Sequence, residues 1–494
     1  MRSVIYSLIG LVFACAPNLA AQETYDLVLS RGRVMDPESE LDAVRDVGIR
    51  NGKIVAVSET PLRGKETVDA TGFVVAPGFI DLHAHGQDEF SSRFQAQDGV
   101  TTALELETGV WPVAQWYASK EGKSHINYGA TSGHIPARIF LKHGIETGHY
   151  SGDSKMRDQV TEKTDGSWAY AAATPDEQLK LVELLQRGLD EGALGLGLGV
   201  AYTPGATRGE VQRVFQLGAD NKVVSFIHMR AAGPIEPGSV LEAMQEVVSG
   251  SLVTGASIHI VHITSMALGQ LSECLAIFDA ARAHGLDLST EVYPYTAGST
   301  NLASALFNEG FQDRLGIEYS DLEWTLTGER LNAETFTEYR KRGGWVIIHM
   351  MHADNVRAAV ARPDVIIASD GVPFVGGRAH PRGAGTFSRV LGRYVREDRA
   401  LTLMDALRKM TILPAQRLEA SVPQMREKGR IRNGADADLV VFDPATILDR
   451  ATYEEPAQAS AGIAQVIVGG TFVVRDGKLQ ENTYPGKAIR RGMN

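Results

Sequence analysis

Histidines and carboxylates end several apolar segments of this sequence, in the pattern that a metal site would require. The segment GFIDLHAHG ends in His83 and His85. Side chains alternate along a strand, so these two rings leave the segment on the same face. Single histidines end two later apolar segments, His228 in FIHMR and His262 in VHIT, and Asp370 ends DVIIASD.

Two glutamates, Glu105 and Glu107, share one face of the apolar segment GVTTALELE. A buried ionised carboxylate is costly unless a cation or hydrogen-bond donors compensate it. Imidazole nitrogens and carboxylate oxygens together suit Zn²⁺ or a similar divalent ion, and a carboxylate can bridge two ions. Such a site activates water near neutral pH, and Asp370 could take its proton and pass it to a leaving group. The residues predict hydrolysis of a carbonyl or phosphoryl bond.

These residues must be brought together by a fold in which strands alternate with helices. The apolar strand candidates are 78–85, 99–107, 124–134, 192–199, 222–230, 257–264, 286–295 and 364–371. Eight such strands separated by helical segments predict an α/β fold, a closed (β/α)8 TIM barrel with its site at one rim. A doubly wound open sheet is the alternative, but no glycine-rich phosphate loop follows an early strand. In the first strand we expect the face of Asp81, His83 and His85 to point inward.

Short strands and turns at both chain ends predict a second, smaller domain. Residues 22–77 and 421–494 are expected to form one β-sandwich, with the barrel at 78–420 inserted between its two parts. Residues 299–355 are too long for a plain loop, so we expect a lid or insertion over the barrel mouth.

The N-terminus resembles a secretory signal, which we place at 1–21. A short basic start precedes an apolar run that is too short to span a membrane. A secreted or periplasmic protein without a membrane span is therefore expected, with a lipid-modified Cys15 as the less favoured alternative. Removal of the signal leaves Cys274 as the only cysteine, which excludes a disulfide framework and a multi-cysteine metal site.

Composition argues against a nucleic-acid partner. Lys and Arg total 49 against 60 for Asp and Glu, the net charge is −11, and no basic block stands out. A single buried histidine is more often a hydrogen-bonded core residue than a ligand, and we interpret His259, His349 and His352 in that way. His125 and His134 are not assigned a role.

Longer motifs resemble the amidohydrolase superfamily and, more narrowly, the N-acyl-D-amino-acid deacylases or D-aminoacylases. These motifs are GALGLGLGVAYTPG, YPYTAGST, ASDG, HPRGAGTFSRVLGRYVRE and LRKMTILPAQRLE. The resemblance implies a (β/α)8 barrel beside a β-sandwich, with one or two zinc ions. It also implies a small substrate, an N-acyl amino acid or peptide-like amide, which is hydrolysed to a carboxylate and a D-amino acid.

The resemblance also implies roles for residues near the metal site. Tyr202 would lie beside the substrate carbonyl, whereas Tyr293, Ser299 and Arg382 would hold the α-carboxylate. A guanidinium group can bind a carboxylate through two parallel hydrogen bonds, which agrees with the role of Arg382.

This sequence departs from the family pattern at three places. Family members usually bridge their metals with a cysteine at the position of Thr108, so we expect the preceding Glu107 to form the bridge instead of Glu105. At VHITS the family often has a second histidine and a lysine that helps to bind the substrate carboxylate, and both are absent here. The segment NLASALFNEGF lacks the arginine of members that act on acidic side chains, so a neutral or apolar D-amino acid is the expected product.

Two other functions compete with this interpretation. A cyclic-amide hydrolase of the hydantoinase or dihydroorotase type usually carries a carboxylated lysine on strand four, and GALGLGLG contains no lysine. A non-catalytic metal-binding relative would not need Asp370, the predicted general base and acid, beside a full ligand set.

Overall fold

The computed structural model describes residues 24–492. The predicted signal at 1–21 and its Cys15 lie outside the described residues. None of the helices within 24–492 is long and apolar enough to cross a membrane.

The strands in chain order are β1 (Thr24–Asp36), β2 (Leu41–Arg50), β3 (Lys53–Ser58), β4 (Arg63–Asp69), β5 (Val74–Pro77), β6 (Phe79–Asp81), β7 (Val100–Val110), β8 (Asn127–Gly133), β9 (Gly195–Gly199), β10 (Val224–His228), β11 (Ile258–Ile260), β12 (Leu288–Val292), β13 (Ala297–Asn301), β14 (Leu322–Trp324), β15 (Glu329–Arg330), β16 (Trp345–His349), β17 (Ile366–Ile367), β18 (Leu439–Phe442), β19 (Ile463–Val468), β20 (Thr471–Arg475) and β21 (Lys478–Leu479).

The α-helices are α1 (Glu89–Gln97), α2 (Val113–Lys120), α3 (His134–His143), α4 (Ser154–Lys163), α5 (Ser167–Tyr170), α6 (Pro175–Asp190), α7 (Arg208–Asp220), α8 (Val240–Thr254), α9 (Ile263–Ala267), α10 (Leu271–Ala283), α11 (Phe311–Leu315), α12 (Ala333–Arg342), α13 (Ala353–Ala361), α14 (Arg382–Arg389), α15 (Leu403–Met410) and α16 (Ile412–Leu418). A π-helix follows α14 at Val390–Glu397, and 3₁₀ turns occupy Val200–Tyr202, Leu268–Gln270, Ala305–Phe307, Tyr319–Asp321 and Pro423–Glu427.

Eight parallel strands form the predicted barrel. Their order is β17-β12-β11-β10-β9-β8-β7-β6, and a parallel bridge between Ala84 and Gly371 joins the two ends. Each of the eight strand segments expected from the sequence overlaps one of these strands, which confirms the (β/α)8 architecture. Helices connect successive barrel strands, because parallel strands need a crossover connection between the end of one and the start of the next.

The barrel interior is filled by apolar side chains from several barrel strands. Ile80 and Leu82 belong to one buried cluster with Leu104, Leu106 and Phe226. The expectation that the Asp81 face points inward is therefore wrong, because the alternate residues fill the barrel. β6 ends at Asp81, and the two histidines follow the strand rather than continue its alternation.

The C-terminal tail closes the end of the barrel at which the strands begin. Ala488 pairs with Tyr128 near the start of β8, and Ile489 donates its N–H to the carbonyl of Tyr128 at 2.7 Å. Ile489 also packs in the interior cluster with Met425. Because this end is blocked, substrate access is confined to the rim where the strands end.

Both ends of the chain contribute to one nine-stranded sheet, ordered β21-β20-β19-β18-β5-β1-β2-β3, with β4 also paired to β1. The long β1 pairs with β4 in its first half and with β5 in its second half. The sheet has its own apolar core, which includes Val47, Ile54 and Val441. This arrangement agrees with the expected β-sandwich built from both chain ends.

A four-stranded antiparallel sheet, ordered β13-β16-β14-β15, lies between the seventh and eighth barrel strands. It occupies much of the segment in which a lid is expected, and α11 and α12 belong to the same segment. Arg382, at the start of α14, donates from Nη2 to the carbonyl of Ser299 in β13 at 3.2 Å. We call this four-stranded sheet with its two helices the lid.

Candidate active site

Two groups of potential metal ligands meet at Glu107. One contains His83, His85, Glu107 and Asp370, and the other contains Glu107, His228 and His262. Within each group the ligand atoms all lie within 4.8 Å of one another, and every member is buried. The structure thus brings together all six residues that the sequence nominated as metal ligands.

The first group surrounds one oxygen of Glu107. His83 Nε2 lies 3.0 Å and His85 Nε2 lies 2.9 Å from Glu107 Oε2. Asp370 Oδ1 lies 3.4 Å from His83 Nε2 and 3.6 Å from His85 Nε2. Two nitrogens and two carboxylate oxygens therefore converge on a point that one divalent ion would fill.

The second group surrounds the other oxygen of Glu107. His228 Nδ1 lies 2.5 Å and His262 Nε2 lies 3.6 Å from Glu107 Oε1. His228 Nε2 is buried and has no hydrogen-bond partner among the described residues. A carboxylate with one oxygen in each group has the arrangement of a bridging ligand, so the donor set fits two ions.

A bulge in β7 explains how Glu107 reaches this position. β7 and β8 pair in register as far as Glu105 and Ala130, and pairing resumes at Val110 and Ser132, so β7 carries extra residues here. A bulge redirects side chains and is common beside active sites. Gly197 accommodates it, because a Cβ on Gly197 would lie only 2.5 Å from the carbonyl oxygen of Glu107.

Glu105 lies behind the ligands rather than among them. One of its oxygens, Oε2, lies 2.7 Å from His85 Nδ1, on the side of the ring away from Glu107. The same oxygen lies 2.7 Å from His149 Nε2 and 2.9 Å from Ser151 Oγ. A carboxylate that accepts the second ring N–H of a ligating histidine fixes its tautomer and orientation.

Glu291 orients His83 in the same way as Glu105 orients His85. Its Oε1 lies 2.6 Å from His83 Nδ1, and its Oε2 lies 3.0 Å from His259 Nε2. His259 Nδ1 in turn lies 2.7 Å from Ser289 Oγ. His259 is thus a buried, hydrogen-bonded residue, as expected from the sequence, although it belongs to the support of the site.

Opposite charges change the pKa values within this cluster. Burial alone would lower the pKa of His83, but the carboxylates of Asp370, Glu291 and Glu107 raise it well above the usual value. Burial alone would also lower the pKa of His85, but the Glu105 carboxylate raises it to about 9. Zinc binds neutral imidazole, so binding must displace these protons.

Asp370 and His262 both have left-handed backbone conformations, with φ of 50° and 31°. Non-glycine residues rarely adopt this region, and it persists only where surrounding contacts enforce it. Before Asp370, the backbone N–H of Ser369 donates to Asp81 Oδ1 at 3.0 Å. After it, Gly86 donates its N–H to the carbonyl of Gly371 at 2.8 Å. These bonds hold the Asp370 carboxylate toward the histidines.

Known proteins of the family that the sequence motifs resemble match nearly the whole chain. The sequence profile of the Amidohydrolase family matches residues 66–474. An N-acyl-D-glutamate deacylase and a D-aminoacylase of Alcaligenes xylosoxydans xylosoxydans are each 29% identical, over 95% of this chain and 97% of their own length. The chain belongs to the amidohydrolase family.

Solved structures of relatives share the fold of this amidohydrolase. The N-acyl-D-glutamate deacylase of Bordetella bronchiseptica, complexed with zinc and a phosphonate inhibitor, has a TM-score of 0.79 at 28% identity, covering 95% of this chain and 100% of its own. A D-aminoacylase structure has a TM-score of 0.78 at 27% identity, covering 94% and 100%. A D-hydantoinase has a TM-score of 0.60 at 18% identity, and this likeness concerns the fold alone.

A cavity of about 330 Å³ opens beside the ligand cluster of this amidohydrolase. Its lining includes His85, Glu107, His228, His262 and Asp370, together with three predicted substrate residues, Tyr202, Tyr293 and Ser299. Ile135, Tyr150 and Trp168 form an apolar wall between the barrel and the segment after α3. The cavity is large enough for a small amino-acid derivative.

Arg382, the fourth predicted substrate residue, lies just behind this lining. Its Nη2 lies 3.0 Å from Asp370 Oδ1, and its guanidinium carbon lies 4.6 Å from the ring centre of Tyr293. The Nε and Nη1 atoms of Arg382 and the hydroxyl of Ser299 are buried without partners among the described residues. These free donors suit an anionic group.

Other histidines of the sequence lie outside the cluster. His134 Nε2 lies 2.8 Å from Glu210, and His125 Nδ1 lies 2.9 Å from the carbonyl of Thr483. His349 Nε2 lies 3.0 Å from Glu323 in the lid, and His352 is the N-cap residue of α13. None of these four belongs to either ligand group.

Sequence reasoning missed Glu291, His149 and Ser151. Glu291 was detectable, because it is a carboxylate near the end of the seventh barrel strand, STEVYPY. His149 and Ser151 carried no such signal, because they belong to an irregular segment after α3 whose path is set by tertiary contacts.

Proposed function

We propose that this amidohydrolase is a zinc-dependent deacylase that hydrolyses the amide bond of N-acyl-D-amino acids or related peptide-like amides. One observation carries the proposal: Glu107 presents its two oxygens to two histidine groups beside Asp370, and this cluster lines a cavity. The relatives that match along nearly the whole chain act, by their names, on N-acyl-D-glutamate and on D-amino acid derivatives, which supports the substrate class.

One zinc ion would be held by His83, His85, Glu107 and Asp370, and a second by Glu107, His228 and His262. Bound zinc supplies Lewis-acid polarisation of the carbonyl and of water at neutral pH. Each first-group histidine keeps one nitrogen for the ion, because Glu105 and Glu291 occupy the other nitrogen of His85 and of His83.

Asp370 is the group that moves the proton. It accepts a proton from the attacking water and returns it to the amide nitrogen, which leaves as an amine. Arg382 lies 3.0 Å from its Oδ1 and so keeps the carboxylate oriented toward the cavity.

Tyr202 donates a hydrogen bond to the substrate carbonyl. Burial, reinforced by the Glu107 carboxylate, raises the pKa of Tyr202 well above its usual range, so the phenol stays protonated. Its oxygen accepts a hydrogen bond from Thr300 Oγ1 at 3.2 Å, which leaves the phenolic proton free. A donor aimed at the carbonyl oxygen stabilises the negative charge that develops there.

The α-carboxylate of the substrate binds to the free donors of Arg382 and Ser299, beside Tyr293. A guanidinium next to a hydroxyl in a buried site gives strong, oriented carboxylate binding.

The reaction takes place outside the cytoplasm, in the periplasm or the medium, because the first residues have the pattern of an export signal.

A substrate screen tests this proposal. The zinc-loaded protein is incubated with N-acetyl-D- and N-acetyl-L-amino acids, dipeptides, dihydrouracil and hydantoin, and the release of free amine or ring-opened product is measured. We expect hydrolysis of the N-acetyl-D series above all others. Ring opening of the cyclic amides without hydrolysis of any linear amide would overturn the proposal.

A further inference from the structure

A second group of polar side chains lies where α4 meets the lid, and the proposed mechanism does not use it. Arg157 of α4, Trp345 of β16 and Ser304 all line the cavity. Arg157 Nε, Trp345 Nε1 and Ser304 Oγ are each buried without a hydrogen-bond partner among residues 24–492. Buried polar groups are normally paired, so three free ones at one end of a cavity point to a ligand that accepts hydrogen bonds.

Arg157 carries the charge of this group. It is only 6% exposed, and no hydrogen bond or ion pair joins it to a carboxylate within the described part of the chain. Its Nη1 donates to the backbone carbonyls of Tyr150, at 3.3 Å, and Ser151. Asp158, the next residue along α4, is exposed and also lines the cavity, but it forms no ion pair with Arg157. A buried cation without a carboxylate partner is costly, so an anionic ligand would stabilise it.

The orientation of Arg157 leaves one edge of its guanidinium free. The guanidinium carbon lies 4.7 Å from the ring centre of Trp345, which covers one face. Nη1 is occupied by the two carbonyls, and Nε and Nη2 make no hydrogen bond within 24–492. These two donors lie on the same side of a guanidinium, where they match the two oxygens of a carboxylate.

This edge is separate from the donors of Arg382. Arg382 contacts the carbonyl of Ser299, which pairs with Ile347, whereas Trp345 pairs with Asn301 two residues further along β13. At the rise of an extended strand, two residues correspond to roughly 7 Å. The two guanidinium groups therefore contact the lid at different positions of its sheet, and each is a separate candidate anion site.

We propose that Arg157, with Trp345 and Ser304, binds a second carboxylate of the substrate, so that this amidohydrolase acts on N-acyl amino acids with two anionic groups. The inference rests on the proposed function and specifies its substrate class. With the second carboxylate on the side chain, the inference replaces the expectation of a neutral product, which followed from the absence of an arginine in NLASALFNEGF; with it on the acyl group, a neutral product is still released. That segment lines the same cavity through Ala303 and Leu306, and α4 supplies the guanidinium in its place. The second carboxylate is on the side chain or on the acyl group.

Two matched substrate pairs test the inference and distinguish these sources. N-acetyl-D-glutamate is compared with N-acetyl-D-glutamine, and N-succinyl-D-leucine with N-butyryl-D-leucine, by kcat/KM. We expect a preference of at least about tenfold for the charged member of one pair, because a charge-assisted bidentate contact is made. Preference in the first pair places the carboxylate on the side chain, and preference in the second places it on the acyl group.

Variants show whether Arg157 causes the preference. Arg157→Met should lower kcat/KM for the charged member about 10- to 100-fold more than for its neutral partner. Lys155→Gln, an exposed change on the same helix, should leave the ratio unchanged. Trp345→Phe removes the indole N–H but keeps an aromatic ring at this position, so it should reduce the ratio by a smaller factor.

Two outcomes would overturn the inference. One is an equal loss on both members of each pair in Arg157→Met, since this means that Arg157 only holds the Tyr150–Ser151 carbonyls or binds the α-carboxylate. The other is the absence of any preference in the unaltered protein. If no linear amide is hydrolysed, the proposed function fails separately. In that case calorimetry measures the affinity of the four compounds for zinc-loaded Asp370→Asn, with and without Arg157→Met. The ratio of the affinities for the charged and the neutral member of each pair then decides the inference.

Discussion

Arg382 and Asp370 form a buried ion pair, with Nη2 and Oδ1 3.0 Å apart, at the boundary between the ligand cluster and the cavity. Asp370 also lies within 3.6 Å of both His83 and His85 through the same oxygen. One carboxylate is thus shared between the predicted metal position and the predicted α-carboxylate site. Substrate binding at Arg382 and proton transfer at Asp370 are therefore expected to depend on each other.

The first prediction concerns the proton transfer. Asp370→Asn should retain bound zinc, because the histidines and Glu107 remain, but should lose turnover by about a hundredfold or more, since the amide cannot act as a base. Zinc is measured by elemental analysis and turnover by amine release from an N-acetyl-D-amino acid. Near-normal kcat in a zinc-loaded Asp370→Asn protein would contradict the assigned role.

The second prediction compares two glutamates on one strand. Glu107→Ala should lower zinc stoichiometry more than Glu105→Ala, because only Glu107 has an oxygen in each ligand group. Glu105→Ala should retain the ions but bind them about 10- to 100-fold more weakly, because His85 loses its orienting partner. Equilibrium dialysis against buffered zinc measures both effects, and the reverse order would mean that the bridge is misassigned.

The sequence predicted much of the fold and of the site. Periodicity and apolar content located all eight barrel strands, and the rule that polar residues at strand ends belong to the site nominated His83, His85, His228, His262 and Asp370. These residues were recognisable because a buried barrel strand seldom ends in a histidine or a carboxylate unless that side chain takes part in the site. The shared site depends on the common rim of the barrel, which the strand count already implied.

Other features depend on geometry that periodicity does not encode. Strict alternation would give Glu105 and Glu107 the same surroundings, but the bulge in β7 separates them. The direction predicted for Asp81 was wrong because it was inferred from His83 and His85, which follow the strand and do not continue its alternation. Arg157 comes from a segment outside the barrel repeat, so only the folded chain shows that it lines the cavity.

The third prediction concerns the support behind His83. Glu291→Gln should weaken zinc binding about 10- to 100-fold, because the neutral amide is a poorer partner for the imidazole than the carboxylate at 2.6 Å. Glu323→Gln is the matched control, since Glu323 bonds to His349 in the lid and belongs to neither ligand group. Competition with a zinc-binding dye measures the affinity. Equal affinities in the two variants would show that Glu291 has no positioning role.

The fourth prediction follows from the pKa values of the metal-free cluster. The pKa of His85 rises from 6.5 to about 9, so its ion pair stabilises the fold fully below pH 6.5 and is lost as the pH rises through about 9. Burial alone would raise the pKa of Glu105, but His85 and His149 lower it below 4.5, so its contribution is lost only as the pH falls below that value. Metal-free protein should therefore lose thermal stability between pH 6.5 and 9, measured as Tm.

Zinc should reverse this trend. Neutral imidazole binds the ion, so stabilisation by zinc increases as the histidines lose their protons. The difference in Tm between zinc-loaded and chelator-treated protein should grow from pH 6 to pH 9. A constant difference across this range would show that the protonated histidines do not contribute to the stability of the metal-free protein.

The last prediction concerns a buried ion pair that supports the cavity wall next to Ile135. Arg138 Nη1 lies 2.6 Å from Glu210 Oε1, both side chains are at most 1% exposed, and His134 bonds to the same glutamate. Glu210→Ala leaves a buried guanidinium without its carboxylate, so the free energy of unfolding should fall by about 3 to 5 kcal/mol. Lys65→Met, which breaks an exposed pair with Asp26, should lower this free energy far less, because solvent screens that pair. Urea denaturation of the zinc-loaded variants at one pH measures both values. Similar losses in the two variants would show that solvent reaches the Arg138 pair, which would contradict its buried position.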